Sequence, residues 1–535
     1  MLIEMRVPSP ALATGGMVAT GHPLATTAGL EVLGAGGNAV DAALAAAAVT
    51  WVVLPMMCGP AGDAFALVWD PRDREVVGIG SGGTAPNAAT ADWFTSRGHR
   101  LIPISGALAV GVPGALAVMD ELSSRFGRLA FGELFTAAIR HAERGVAITP
   151  EVAAHVPAQL ARLEADPESV RLFGPMRAGS VLIQPELART IETIALEGAG
   201  ALYGGSLGEA MAAAIGASGG LLTLDDLTSN RVDVGTPPAI TYRGHRVHQT
   251  APPSQGFMVL EELKILEGYE IPSLDPLGDE SIHLQVEAKK MAAEDRLRHA
   301  GDPRHVDWDV ERLISAEHAA IRRGEINPAR ARPAGVTAAA AGDTTYLCVV
   351  DRDGLTVSFV HSLSHAFGAA LTVPGTGMLL NNRAGRGFTL EQGHPNQVAP
   401  GKRTMSTLNC YLVTREGEAT LVGGTPGGDG QVQWNLQVLS SVLDHRMDPQ
   451  AAVAAPRWTH NPTTDPWRLD EHALLTIEEG VPAESMEGLR RRGHDVKQIG
   501  RWQAGGSAQV IARDVTAGIL RGGSDPRDGG LALGR

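Results

Sequence analysis

The chain has 535 residues, 44% hydrophobic and 19% charged, with a net charge of −14. This is the composition of a globular protein with a sizeable core, and the length suits one large or two to three ordinary domains. The acidic balance argues against a general nucleic-acid binder, and Cys58, Cys348 and Cys410 have no paired spacing, so neither a disulfide framework nor a zinc site is indicated.

Met1 to Pro8 carries an acid and an early proline and no apolar stretch leading to a cleavage site. The longest apolar tract, Ala42 to Met57, is too short to cross a bilayer and reads as a buried helix. A cytoplasmic location without membrane contact is expected. Gly16 to Thr20 reads as a strand, Leu24 to Leu33 as a helix ended by Gly34-Ala35-Gly36-Gly37-Asn38, and Ala39 to Val53 as a second helix, apolar on nearly every face. Phe65 to Asp70 and Glu75 to Ile79 form a hairpin around Pro71-Arg72-Asp73, and helices run intermittently from Val112-Pro113-Gly114 to Ala214. Ile240 to His248 is extended, and Glu287 to His299 reads as a charged amphipathic helix stopped by Gly301-Asp302-Pro303. Later strands are expected around Thr407 to Thr414, Ala419 to Val422, Ala508 to Ala512 and Gly518 to Gly522, with a helix from Trp434 to Leu443. Helices early and strands late fit an α+β fold.

One hairpin stands out. Thr344 to Val350 and Leu355 to Ser362 flank Asp351-Arg352-Asp353-Gly354, and a turn centred on Arg352-Asp353 sets Thr344 opposite about His361, with the Ser362 hydroxyl near. Before it, Ile321 to Asp343 has the composition of an exposed, flexible connection. Cleavage of Asp343–Thr344 would free a threonine whose own α-amine could serve its hydroxyl as base. On these residues alone an ordinary hairpin that begins with Thr, a common strand residue, is the stronger reading.

Other motifs carry less. Gly78-Ile79-Gly80-Ser81-Gly82-Gly83 has dinucleotide-loop spacing, but no helix opens after it, and a glycine-rich turn fits better. Gly204-Gly205-Ser206-Leu207-Gly208 has nucleophile-elbow spacing with no strand before it, so Ser206 is expected to cap the next helix. Neither His361/His365 nor His245/His248 makes a good metal pair. Gly423 to Gly430 is a glycine-dense loop between strand and helix that could aim backbone N–H groups at an anion or serve only as a tight connection.

Taken together, the blocks Gly16-Met17-Val18-Ala19, Gly36 to Ala43, Val112-Pro113-Gly114, Pro252-Pro253-Ser254, Asp295 to Pro303, Thr344-Thr345, Leu379-Leu380-Asn381-Asn382 and Thr425-Pro426-Gly427-Gly428 resemble the γ-glutamyltransferase family of N-terminal nucleophile hydrolases, over nearly the whole chain and in the family's order. The resemblance implies a four-layer αββα sandwich made as a precursor. It implies self-cleavage at Asp343–Thr344 into a large subunit, 1–343, ending in a flexible linker from about 321, and a small subunit, 344–535, intertwined in one fold. A homo-oligomer is possible beyond that. Thr344 becomes the nucleophile for cleavage and catalysis, Ser362 its tuning hydroxyl, and Gly427 and Gly428 the oxyanion hole. Ser364, Ser406 and Thr407 fall at substrate-binding positions. The partner is a small-molecule amide, and no metal or organic cofactor is called for.

The family pattern breaks at the acyl pocket. The arginine expected to grip a γ-glutamyl carboxylate falls on Gly82, and the acid expected to hold its ammonium falls on Arg386, with Arg383 beside it. These changes point to an amidohydrolase or acyltransferase whose acyl group lacks the ammonium, with Arg383 or Arg386 binding an acyl carboxylate, as in family relatives acting on oxamate or glutaryl-cephalosporins. A surface-solvated role for both arginines is the plain alternative. A genuine γ-glutamyltransferase or glutathione hydrolase, an inactive binding protein, and a nicotinamide-dependent enzyme using the Gly78–Gly83 turn are the competing functions.

Overall fold

The computed structural model describes residues 9–333, 343–461 and 472–535, with the Asp343 side chain outside that description. Two seven-stranded sheets form its centre. In the first, the order is Leu531–Gly534, Gly16–Thr20, Asp343–Asp351, Thr356–Ser364, Asp63–Asp70, Glu75–Ser81 and Asp233–Gly235. In the second it is Ala11–Ala13, Ile519–Ser524, Gln509–Asp514, Glu418–Gly424, Tyr411–Arg415, His245–Gln249 and Ala239–Tyr242. Both sheets therefore mix strands from before and after Thr344.

Side-chain alternation along the strands builds the layers. Tyr346, Cys348 and Val350 turn toward Leu412, Val422 and Ile511 of the other sheet and form the core between the two. Leu347 and Val349 on the same strand turn the opposite way, into a second core with the Ala39–Val53 helix. A third core packs the helices Phe257–Leu266, Asp279–His299 and Gln431–Leu443 on the outer face of the second sheet. The result is helix, sheet, sheet, helix: the αββα sandwich.

Two helices show how the sequence makes these layers. Every residue of Ala39–Val53 is buried, and small alanines let it lie close to the sheet. Its start is fixed by a capping box in which Asn38 accepts from the Val40 and Asp41 N–H groups while Asp41 accepts from Asn38 N–H. The other, expected to be amphipathic from Glu287, instead runs the 21 residues Asp279–His299 and is buried from Ser281 to Met291 and beyond. Several of its buried charges are met by partners on this helix or on neighbouring elements. Lys290 Nζ lies 2.7 Å from Glu287 Oε1, and Asp295 is held by Arg322 and by His318 Nε2 at 2.8 Å. Sequence charge was misread as exposure.

Other boundaries also move. The connection expected from Ile321 is helical to Glu325, within Ala316–Glu325, and Arg322 is buried against Asp295. Arg332 then follows, its carbonyl accepting from Lys290 Nζ at 2.9 Å. Residues 334–342 of the expected linker lie outside the described residues. Ser206 is the first residue of its helix rather than its cap, Gly205 taking that place with no side-chain bond. The strand expected from Thr407 begins at Tyr411, leaving Thr407 in a loop. The final strand Leu531–Gly534 and a small sheet of Trp458–Asn461, Leu474–Glu478 and Val496–Ile499 went unread. Among the described residues no helix is long and apolar enough to cross a membrane.

Candidate active site

The Thr344 hairpin closes on Asp351, whose Oδ1 accepts from the Asp353 and Leu355 N–H groups at 2.9 and 3.1 Å. Its register differs by one residue from the expected one: Thr345 faces His361, and an irregularity separates this pair from Asp343 and Ser364. The shift brings Thr344 abreast of Ser362 rather than His361. Thr344 Oγ1 donates to Ser362 Oγ at 3.1 Å, and both residues are buried. Ser362 Oγ also accepts from the Ser364 N–H at 2.8 Å, so backbone fixes the acceptor that aims the threonine. Against this turn lies Gly62, where a Cβ would sit 2.5 Å from the Ser362 carbonyl oxygen. Ser364 has a φ of 86° and a buried Oγ without a hydrogen-bond partner among the described residues.

His361 is next to this pair in sequence but takes no part in it. Burial pushes its imidazole down to about 3, and Nε2 meets Thr50 Oγ1 at 3.1 Å. It is a neutral core histidine, unsuited to act as a base near neutral pH.

The glycine loop arrives from the other sheet, between the strand Glu418–Gly424 and the helix Gln431–Leu443. Gly427 and Gly428 have φ of 124° and 56°, values that an L side chain resists. A Cβ on Gly427 would also lie 2.1 Å from the Trp434 ring. The Gly427 carbonyl accepts from Gly430 N–H at 3.0 Å and the Gly428 carbonyl from Gln255 Nε2 at 3.1 Å. Thr344 and Gly427 line one cavity of about 340 Å³ with Trp434, Glu151, His155 and Asp528. The Thr344 hydroxyl, held by Ser362, thus shares a cavity with Gly427 of the glycine loop.

A second, smaller cavity lies beyond the loop, lined by Arg296, Arg383, Arg386, Asn396, Thr407 and Asp429. Neither Arg383 nor Arg386 is on the surface: they are 1% and 3% exposed. Arg383 Nε donates to Asp63 Oδ2 at 2.6 Å and Nη1 to Thr407 Oγ1 at 3.3 Å, while Nη2 has no partner among the described residues. Burial pushes the Asp63 carboxyl up and the Arg383 guanidinium down, and their contact opposes both shifts by favouring the ion pair. Gly82 has no side chain with which to grip a carboxylate. A Cβ there would come within 2.2 Å of Asp63 Oδ1, and one on Gly83 within 2.7 Å of Arg383 Cγ. Bare backbone makes room for the Asp63–Arg383 pair where an arginine was sought.

Arg386 Nη1 donates to the Ser364 carbonyl at 3.1 Å, linking this cavity to the Thr344 end of the ladder. Its Nη2 lies 3.1 Å from Asp429 Oδ2. Ser406 braces the loop: its N–H donates to the Pro253 carbonyl at 2.7 Å and its Oγ accepts from Leu408 N–H at 3.3 Å. Asp429, Arg296 and Gln255 were not singled out in the sequence. An acid in the middle of a glycine loop was the one available signal.

Among the described residues two clusters each bring three possible metal ligands together, His283 with Glu287 and His494, and Glu261 with Asp295 and His318. Lys290 already balances Glu287, and Arg322 balances Asp295. The histidine pairs weighed in the sequence belong to neither cluster.

The fold and this constellation define an N-terminal nucleophile hydrolase. Residues 25–534 match the family described as Gamma-glutamyltranspeptidase, and the chain belongs to it. It is 34% identical to the glutathione hydrolase-like YwrD proenzyme of Bacillus subtilis, covering 98% of this chain and 99% of that protein. It is 36% identical to the acylase ACY 1 proenzyme of Pseudomonas sp. strain V22, over 95% and 92% of the two chains. The crystal structure of cephalosporin acylase from Bacillus halodurans superposes with a TM-score of 0.91 at 34% identity, over 100% of this chain and 98% of that one. The protein is an amidohydrolase or acyltransferase of this family.

Proposed function

We propose that the chain cuts itself at Asp343–Thr344 and then hydrolyses or transfers the acyl group of an amide that carries a carboxylate but no α-ammonium. In the uncut chain the Thr344 nitrogen is an amide and cannot act as base. Attack of Oγ1 on the Asp343 carbonyl carbon shifts the acyl group from nitrogen to oxygen. Water then cleaves this ester, leaving the Asp343 carboxylate, the Thr344 hydroxyl and a free α-amine. That amine, with a reference pKa of about 8, takes the hydroxyl proton when an external amide is attacked. The Gly427 and Gly428 N–H groups face the developing oxyanion. The acyl-Thr344 ester passes to water or to an acceptor amine.

The observation that carries the acyl preference is the Nη2 of buried Arg383, without a partner among the described residues, with Arg386 in the same cavity. A carboxylate satisfies it, whereas an ammonium meets two guanidinium groups. The likeness to proteins titled acylase and cephalosporin acylase supports this reading. The competing reading, a γ-glutamyltransferase, is favoured by one feature: Asp429, a buried carboxylate on the same wall that could receive an ammonium. Both its oxygens already meet arginines. Glutaryl- and γ-glutamyl-p-nitroanilide differ only by the α-ammonium and separate the two. A kcat/KM at least roughly tenfold higher for glutaryl is expected, the worth of about one charged contact. Equal or better turnover of the γ-glutamyl compound would refute the assignment.

A further inference from the structure

We propose that Asp429 is a positioning residue that clamps the oxyanion turn to the arginines of the acyl pocket, an inference that rests on the function assigned above to those two features. Gly427 and Gly428 have no side chains by which the turn could be held. The first residue that has one is Asp429, 4% exposed within the short helical turn Gly428–Gly430. Its Oδ1 accepts from Arg296 Nη1 and its Oδ2 from Arg386 Nη2 at 3.1 Å. Arg296 comes from the helix Asp279–His299, before Thr344 in the chain, and Arg386 from the short helix Arg383–Gly387 after it. A cut at Thr344 makes Asp429 a bridge between the two pieces.

The clamp reaches the reacting atoms in two directions. Arg296 Nη1 also donates to Gln255 Oε1, and Gln255 Nε2 holds the Gly428 carbonyl at 3.1 Å and the Thr407 carbonyl at 2.6 Å. The Gly428–Asp429 peptide plane is thereby set from Arg296. The preceding plane is set by Gly430 N–H on the Gly427 carbonyl at 3.0 Å. Because a peptide is planar, that bond fixes the Gly428 N–H in the opposite direction. On the other side, Arg386 Nη1 holds the Ser364 carbonyl, and Ser364 N–H holds Ser362 Oγ, the acceptor of the Thr344 hydroxyl. One carboxylate therefore joins a guanidinium lining the acyl pocket, the oxyanion amides and the hydroxyl that aims the nucleophile.

The test is Asp429→Asn, which keeps the shape but leaves one arginine facing an amide N–H₂. In the cleaved enzyme, kcat is expected to fall at least roughly tenfold on both glutaryl- and butyryl-p-nitroanilide, as for a displaced oxyanion donor. The glutaryl-to-butyryl ratio of kcat/KM is expected to fall a further roughly fivefold as Arg386 loses its aim. Thermal melting is expected to fall, because Asn no longer neutralises buried Arg296 and Arg386, so kcat is compared on folded enzyme well below the variant's melting point. If this variant does not fold, Arg296→Gln should give the same kcat loss by freeing the other arm. A folded Asp429→Asn enzyme with kcat within about threefold of wild type would overturn the proposal, as would failure of both variants to fold, which would make the residue structural. A wild-type enzyme indifferent to the glutaryl carboxylate would refute the acyl assignment instead, and the kcat loss on butyryl-p-nitroanilide would still decide the clamp.

Discussion

Arg383→Lys isolates the group that gives the pocket its proposed preference. The guanidinium has three directions in use or on offer: Nε on Asp63 at 2.6 Å, Nη1 on Thr407 at 3.3 Å, and Nη2 without a partner among the described residues. Lysine can keep the charge beside Asp63 but has no planar fork with which to reach a substrate carboxylate as well. Removal of the charge altogether, as in Arg383→Met, would leave Asp63 buried and unpaired at a cost of about 3–5 kcal/mol and confuse binding with folding. For the lysine variant the lost contact is one charge-assisted hydrogen bond, about 1.5–3 kcal/mol. That predicts a fall of roughly 10- to 150-fold in the ratio of kcat/KM for glutaryl- over butyryl-p-nitroanilide. The assay is steady-state release of p-nitroaniline at matched concentrations of cleaved enzyme. Equal losses on the two substrates would refute the reasoning, because they would place the role of Arg383 in supporting the loop rather than in reading the acyl group.

Two further outcomes follow from the same geometry. Ser362→Ala removes the acceptor of the Thr344 hydroxyl and leaves the Ser364 N–H unpaired, so self-cleavage followed on gels should slow by roughly 5- to 150-fold, for about 1–3 kcal/mol, while Ser362→Thr keeps most of the rate. Burial pushes the imidazole pKa of His22 and His248 down to about 4, and that of His361 and His494 down to about 3. Unfolding raises each toward 6.5, so the unfolded chain binds more protons and stability falls as pH drops below about 6.5 toward 4, by up to about 1.4 kcal/mol per pH unit for each histidine. Urea midpoints at pH 7, 6 and 5 should decrease in step; a flat series would show these imidazoles to be accessible in the folded state.

Much of this was legible in the chain, for physical reasons. Thr344 and Ser362 share one hairpin, so local pairing brought them together even with the register misplaced by one residue. The correction came from the irregularity between Asp343 and Thr345 and from Asp351 closing the turn, side-chain effects that no period-two pattern records. Gly427 and Gly428 announced themselves by density of glycine. By contrast, the charges of the Asp279–His299 helix suggested a solvated face, yet Glu287, Lys290, Asp295 and Arg296 are buried. Each is neutralised by a partner, and for Asp295 and Arg296 that partner lies on another element. Such pairs leave no local trace. Arg383 and Arg386 were placed beside the site by their order in the chain, but their burial depends on Asp63 and Asp429, far away in sequence. The vacancy read at Gly82 is filled by the Asp63–Arg383 pair, which only three dimensions reveal.

Intact-mass spectrometry of the purified wild type and of Thr344→Ala tests the central claim most directly. The account predicts two wild-type species that meet at the Asp343–Thr344 bond, the second beginning with Thr344, and a single uncut chain for the alanine variant. A wild-type protein that stays in one piece, or an alanine variant cleaved at the same bond, would contradict it.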